Sequence, residues 1–160
     1  PPDIAVYEIE HVADDMHARF SAKSRTYRYY IHTRKTPFSR HYSSETHYRL
    51  DFDIMNLAAS HLLETHDFAA FCKAGSDVKT TICHVFRASW VEQSRGEWYF
   101  EITADRFLRN MVRAVVGTLV DVGRGRLSLE EFKAIIESRR RSNARESMPP
   151  QALFLEDITY

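Results

Sequence analysis

Two cysteines, five glycines and five prolines are few for 160 residues, and no apolar run is long enough to cross a bilayer. Each shortage closes a class of answer. Two thiols, Cys72 and Cys83, do not staple a small secreted scaffold, and a bridge between them would be unusual in a reducing compartment. His66 and His84 stand near them in sequence, but there is no C-x-x-C or H-x-x-x-H pair. Structural zinc takes four well-placed ligands, so no metal site is expected. Sparse Gly and Pro exclude collagen-like and low-complexity chains. A spanning helix needs a run of about 18 apolar residues or more, and Pro1-Pro2-Asp3-Ile4 shows neither the basic nor the apolar part of a secretory signal. A soluble, cytoplasmic protein with no membrane partner is the expectation. The two opening prolines, without an initiator Met, fit either processing or a piece of something longer.

What is present suits a packed core. With 44% hydrophobic and 28% charged residues the chain is too apolar to be disordered. Its length matches one domain or one sizeable part of a two-domain protein. The formal net charge of zero hides a segregation. Residues 1–16 hold Asp3, Glu8, Glu10, Asp14 and Asp15 and no Lys or Arg, whereas residues 17–49 hold eight basic residues against Glu45 alone. Further basic groups are Arg106, Arg109 and Arg113, and Arg124, Arg126, Arg139, Arg140, Arg141 and Arg145. Arginine interleaved with Tyr27, Tyr29, Tyr30, Phe38, Tyr42 and Tyr48 is the footprint of a nucleic-acid surface, or else of a solvated face paired with acidic helices.

The pattern along the chain predicts an α+β fold. Residues 4–10 are rich in β formers, and residues 25–32 alternate, predicting a strand with one cationic and one aromatic face. Asp53 is placed to cap a helix over 54–64 in which Ile54, Leu57, Ala58, His61 and Leu62 recur at helical spacing. Residues 67–72 read as one helical turn, with His66-Asp67 as its local cap. Residues 80–92 and 97–103 read as a hairpin around Ser94-Arg95-Gly96. Phe107, Met111, Val112, Val115, Val116 and Leu119 form the apolar stripe of a helix capped by Asp105 and ended by Gly123 and Gly125. Arg106, Asn110, Arg113 and Gly117 fall on another face of that helix, so a guanidinium lies beside bare glycine backbone. Ser128 and Glu131 form a capping box for a helix over 129–140, whose Arg139-Arg140-Arg141 end is solvated or touches phosphate. A polar loop over 142–150 leads to a last strand over 153–160. Strands bracket helices without strict alternation, which favours a mostly antiparallel sheet with helices packed on one face, in a single domain over 1–160.

Several separated motifs resemble one family. They are His17-Ala18-Arg19-Phe20-Ser21-Ala22, Arg25-Thr26-Tyr27-Arg28-Tyr29, His66-Asp67-Phe68-Ala69-Ala70-Phe71-Cys72 and Phe107-Leu108-Arg109-Asn110-Met111-Val112-Arg113. Val116-Gly117-Thr118-Leu119, Val122-Gly123-Arg124-Gly125 and Ala152-Leu153-Phe154-Leu155 follow in order, with Phe154 where a Tyr is more usual. Together they resemble the C-terminal part of the bacterial tRNA pseudouridine synthases of the A type. The resemblance implies the C-terminal half of the pseudouridine synthase fold, acting as an RNA-binding and catalytic-support domain. It also implies a homodimeric enzyme that isomerises uridine to pseudouridine in the anticodon stem-loop of tRNA without a cofactor. An Asp nucleophile, a Tyr that stacks on the flipped base and an Arg that pairs with the Asp do the work in such enzymes. Tyr27 matches the stacking residue and Arg113 the pairing one. Arg19, Arg25, Arg28, Arg109 and Asn110 match the surroundings that hold substrate.

The family's Gly-Arg-Thr-Asp-Ala-Gly segment, which bears the nucleophile, has no counterpart in this sequence. The expectation is therefore an isolated chain that is inactive for want of that carboxylate. Two other classes compete with this reading. One is a standalone RNA-binding module using an aromatic and basic sheet surface, although the K/R-G-F/Y-G-F-V-x-F signature of such modules is absent. The other is a structural or dimerisation domain.

Overall fold

Strand β1 (Ser24–His32) is the spine of the sheet. The computed structural model describes residues 1–160. On one side β1 runs antiparallel to β4 (Glu97–Ala104), from Arg25 opposite Ala104 to His32 opposite Glu97. Its other side is shared. Strand β5 (Leu153–Thr159) pairs antiparallel along Ser24 to Tyr29, and the two-residue β2 (Ser44–Glu45) pairs parallel with Ile31 and His32. Strand β3 (Val85–Ser94) completes the sheet beyond β4 through a hairpin whose Gly96 has φ 82°, a left-handed turn position natural to glycine. The sheet is mixed and mostly antiparallel, and the α+β class expected from the sequence is the one observed.

Helices α1 (Phe52–Glu64), α2 (Met111–Gly123) and α3 (Leu129–Ser138) share one hydrophobic core with the sheet. Because side chains alternate along a strand, Tyr27, Tyr29 and Ile31 face this core with Trp90, Phe100 and Ile102. Helix α1 is pinned to β3 by Asn56, whose side-chain amide donates to the Trp90 carbonyl and whose oxygen accepts from the Trp90 N–H at 2.7 Å. The side chain thus satisfies backbone groups of an edge strand as a further strand would.

Several local expectations are corrected. Residues 4–10 pair with no strand, and Tyr7 is 96% exposed. β propensity alone does not make a strand, because its hydrogen bonds must come from a neighbour. The predicted division of β1 into a cationic and an aromatic face fails. Arg25 and Arg28 are three apart and Tyr29 and Tyr30 adjacent, odd steps that put one of each on either face. Helix α1 begins earlier than predicted, and Asp51, not Asp53, is its cap, accepting from the N–H groups of Asp53 and Ile54. Its buried face is Met55, Ala58, Ala59 and Leu62, leaving Leu57 52% exposed. Helix α2 begins at Met111, so Arg106, Phe107 and Asn110 precede it. Asp105 is not its cap; the carboxylate accepts from the His84 N–H at 2.8 Å. The predicted hairpin, the turn at Ala69–Phe71, the Ser128–Glu131 capping box and the last strand are all present.

Candidate active site around Arg113

Arg113 sits in the first turn of α2, half-buried between Val112 and Ala114, which face the core. Its Nε–H donates to the Met148 carbonyl, and the Met148 N–H donates to the Arg113 carbonyl at 3.1 Å. No carboxylate of the chain lies within ion-pair distance of its guanidinium. A half-buried cation served only by a neutral carbonyl is costly to desolvate unless an anion completes it.

Residues 144–149 run across α2 and hold Arg113 from outside. A Cβ at Gly117 would overlap the Glu146 carbonyl oxygen, so only glycine lets the segment lie this close. The Arg145 N–H donates to Thr118 Oγ1, and the Asn110 side-chain amide donates to Ser147 Oγ at 2.5 Å. Arg141 donates to the Ala144 and Arg145 carbonyls and to Ser147 Oγ. Tyr29, from β1, donates its phenol to the Pro149 carbonyl at 2.8 Å. Burial pushes the Tyr29 phenol up to about 12, with Ser44 and the Arg113 charge opposing.

Tyr27 lies two residues before Tyr29 on the same sheet face, partly exposed, with the Phe107 ring edge-on at 4.9 Å. Phe107 belongs to the loop that leads into α2, whose first turn carries Arg113. Arg109, in that loop, is exposed. Arg19 is exposed on a turn in which its N–H and that of Phe20 point to His17 Nδ1.

Arg25 and Arg28 differ from these. Arg25 donates to the carbonyls of Ala22 at 2.8 Å, Asp105 at 2.6 Å and Arg19, tying the turn before β1 to the loop after β4. Arg28 lies on the opposite face, where Nε meets Glu101 at 2.7 Å and Nη1 meets Glu156 at 2.6 Å. The bond to Glu101 holds the Arg28 guanidinium more firmly protonated than usual, against the opposing effect of burial. That face also carries a cleft of about 540 Å³ lined by Tyr30, Tyr42 and Phe154, with Glu97 and Glu156 but no Lys or Arg.

Of the arginines at the end of α3, Arg139 and Arg140 are exposed as expected, Arg139 also pairing with Asp67 at 3.2 Å, whereas the half-buried Arg141 organises the 144–149 segment. Asp67 also accepts from the Ala69 N–H and from Thr81, the local capping expected of it. Sequence reasoning missed Ser147 and the Met148 and Pro149 carbonyls. The only signal was Gly117, one turn after Arg113 on a helix without other reason for a glycine.

The sequence model described as tRNA pseudouridine synthase matches residues 58–160, which contain Arg113, Gly117 and the 144–149 segment. The chain belongs to this family. Over its whole length it is 51% identical to a tRNA pseudouridine synthase A of Bacteroides fragilis, covering 64% of that protein. It is 50% identical to one from Bacteroides thetaiotaomicron, covering 60%, and 41% identical to one from Bacillus subtilis, covering 65%. The chain thus spans less than two thirds of the length of these family members.

Proposed function

We propose that this chain is the RNA-binding and catalytic-support part of a cytoplasmic, homodimeric tRNA pseudouridine synthase that acts on the anticodon stem-loop. The reaction breaks the C1′–N1 bond of uridine and forms C1′–C5, while C5 loses a proton and N1 gains one. Nothing is oxidised or reduced, so the chemistry asks for no cofactor. A base inside a stem-loop must leave its stack to be turned over. Tyr27 offers the replacement surface, an aromatic contribution of about 1–3 kcal/mol per base. Arg19 and Arg109 meet phosphate beside it. Asn110, Arg25 and Arg28 serve substrate by shaping the loops and strand that carry these groups.

The observation that carries this reading is Arg113: a half-buried guanidinium, held through Nε, with no acid of its own chain to complete it. A planar fork matches a carboxylate bidentately, and the nucleophilic Asp of the family, carried by a segment outside this sequence, is that carboxylate. Uridine isomerisation in tRNA, assayed with the chain alone and with the chain joined to such a segment, tests the reading. Activity only in the joined protein is expected, lost on Arg113→Met; turnover by the chain alone would overturn it. The standalone RNA platform is less well supported, because the cleft on the helix-free face holds Glu97 and Glu156 but no Lys or Arg, and the charge of Arg28 is spent on Glu101 and Glu156.

A further inference from the structure

We infer that the 144–149 strap is a positioning device for Arg113, and that it dictates how the acid must approach: end-on, through the two Nη groups. The inference rests on the reading of Arg113 as the partner of a carboxylate. A guanidinium offers a carboxylate two bidentate edges, one formed by Nε and one Nη, the other by both Nη groups. The Met148 carbonyl occupies the Nε–H and so removes the first. Only the Nη1/Nη2 fork is left, aimed along the side-chain axis.

The carbonyl can do this only while the strap stays seated. Three further contacts seat it, besides the Arg145 N–H bond to Thr118 Oγ1 and the Met148 N–H bond to the Arg113 carbonyl. At Gly117 the helix surface is bare backbone, where the Glu146 peptide comes to rest. At the near end Ser147 Oγ is gripped from both sides, by the Asn110 amide and by Arg141. At the far end the Pro149 carbonyl is held by the buried Tyr29 phenol. Asn110 itself has a left-handed backbone, φ 68°, and its side chain makes no cap bond to α2, although its carbonyl accepts from the Ala114 N–H. An N-cap asparagine normally spends its side chain on the helix N–H groups; here it is spent on the strap. Asn110, Gly117 and Ser147 are therefore positioning residues, acting through Met148 on Arg113 without touching the reacting atoms.

The test uses Gly117→Ala and Ser147→Ala, with Ser147→Thr as the conservative partner that keeps the hydroxyl. In the chain itself, ¹⁵N–¹H spectra follow the Arg113 Nε–H, identified by its absence in Arg113→Lys. Both disruptive variants are expected to speed its exchange about tenfold or more, with core methyl shifts unchanged and Ser147→Thr like the parent. In the enzyme carrying the nucleophile segment, Gly117→Ala is expected to lower kcat about a hundredfold, the cost of a misplacement on the scale of 1 Å. Ser147→Ala is expected to lower it about tenfold, with KM for tRNA nearly unchanged in both and Ser147→Thr restoring activity. Parent-like Nε–H exchange and kcat in Ser147→Ala, which leaves the backbone intact should Gly117→Ala fail to fold, would falsify the inference while Arg113→Lys is still inactive. An active Arg113→Lys enzyme would instead remove the reading beneath it.

Discussion

Single arginines in this chain divide by what their donors meet. Arg25 gives its donors to three carbonyls, Arg28 to two carboxylates and Arg113 one donor to one carbonyl. Composition treats them alike, yet removing each has a different consequence. Arg25→Met strands three carbonyls and frees the 17–22 turn from the loop after β4. A loss of about 1.5–3 kcal/mol in denaturant unfolding is expected, from bonds to a charged donor, with faster proteolysis near Arg19 and partial recovery in Arg25→Lys. Two buried acids set a pH dependence. Burial raises Tyr29 from an ordinary 10.0 and Cys83 from 9.0, each to about 12. Between pH 9 and 12 the unfolded chain releases these protons while the folded one keeps them. Stability is therefore expected to fall as pH rises through that window and to be insensitive to these groups below it. Urea unfolding from pH 8 to 11.5 measures this, and Tyr29→Phe should flatten part of the decline.

At the scale of elements, two glycines of α2 separate by what stands over them. A side chain at Gly123 would press on the flexible end of Met55, whereas one at Gly117 would press on backbone. Both substitutions to Ala overpack, at about 1–3 kcal/mol, with Gly117→Ala expected at the upper end and Gly123→Ala at the lower in thermal unfolding. The α3 capping box satisfies backbone donors reciprocally, Ser128 Oγ accepting at 3.1 Å and Glu131 at 2.8 Å. Ser128→Ala is expected to cost about 1 kcal/mol. These elements also show where sequence patterns are legible. Ser128-x-x-Glu131 and Ser94-Arg95-Gly96 were readable because cap and turn chemistry is local. The start of α2 was misplaced because the apolar stripe continues back to Phe107, which packs on Tyr27 from a loop. Hydrophobic spacing cannot tell a helix from a loop that buries the same residue.

For the whole molecule, two groups of arginines separate: the exposed Arg19 and Arg109, which make no ion pair, and Arg28 and Arg87, paired with acids on the sheet face opposite the helices. RNA is expected at the first. Replacing Arg109 or Arg19 by Ala in the intact enzyme should weaken tRNA binding and reduce its log–log salt dependence by about one each. Replacing Arg87, on the other face, should leave that slope unchanged. Filter binding over a salt series reads both.

Family and fold class were legible without coordinates, because motif order and local spacing are properties of the chain itself, and the resemblance singled out Tyr27 and Arg113. The partners were not. That Arg25 would be bound by carbonyls, that Arg28 would be neutralised across the sheet, and that a loop 35 residues downstream would reach Arg113 depend on contacts between distant segments. Those contacts exist only once strands pair and α2 lies beneath the strap, since no local rule links residues whose meeting is decided by packing.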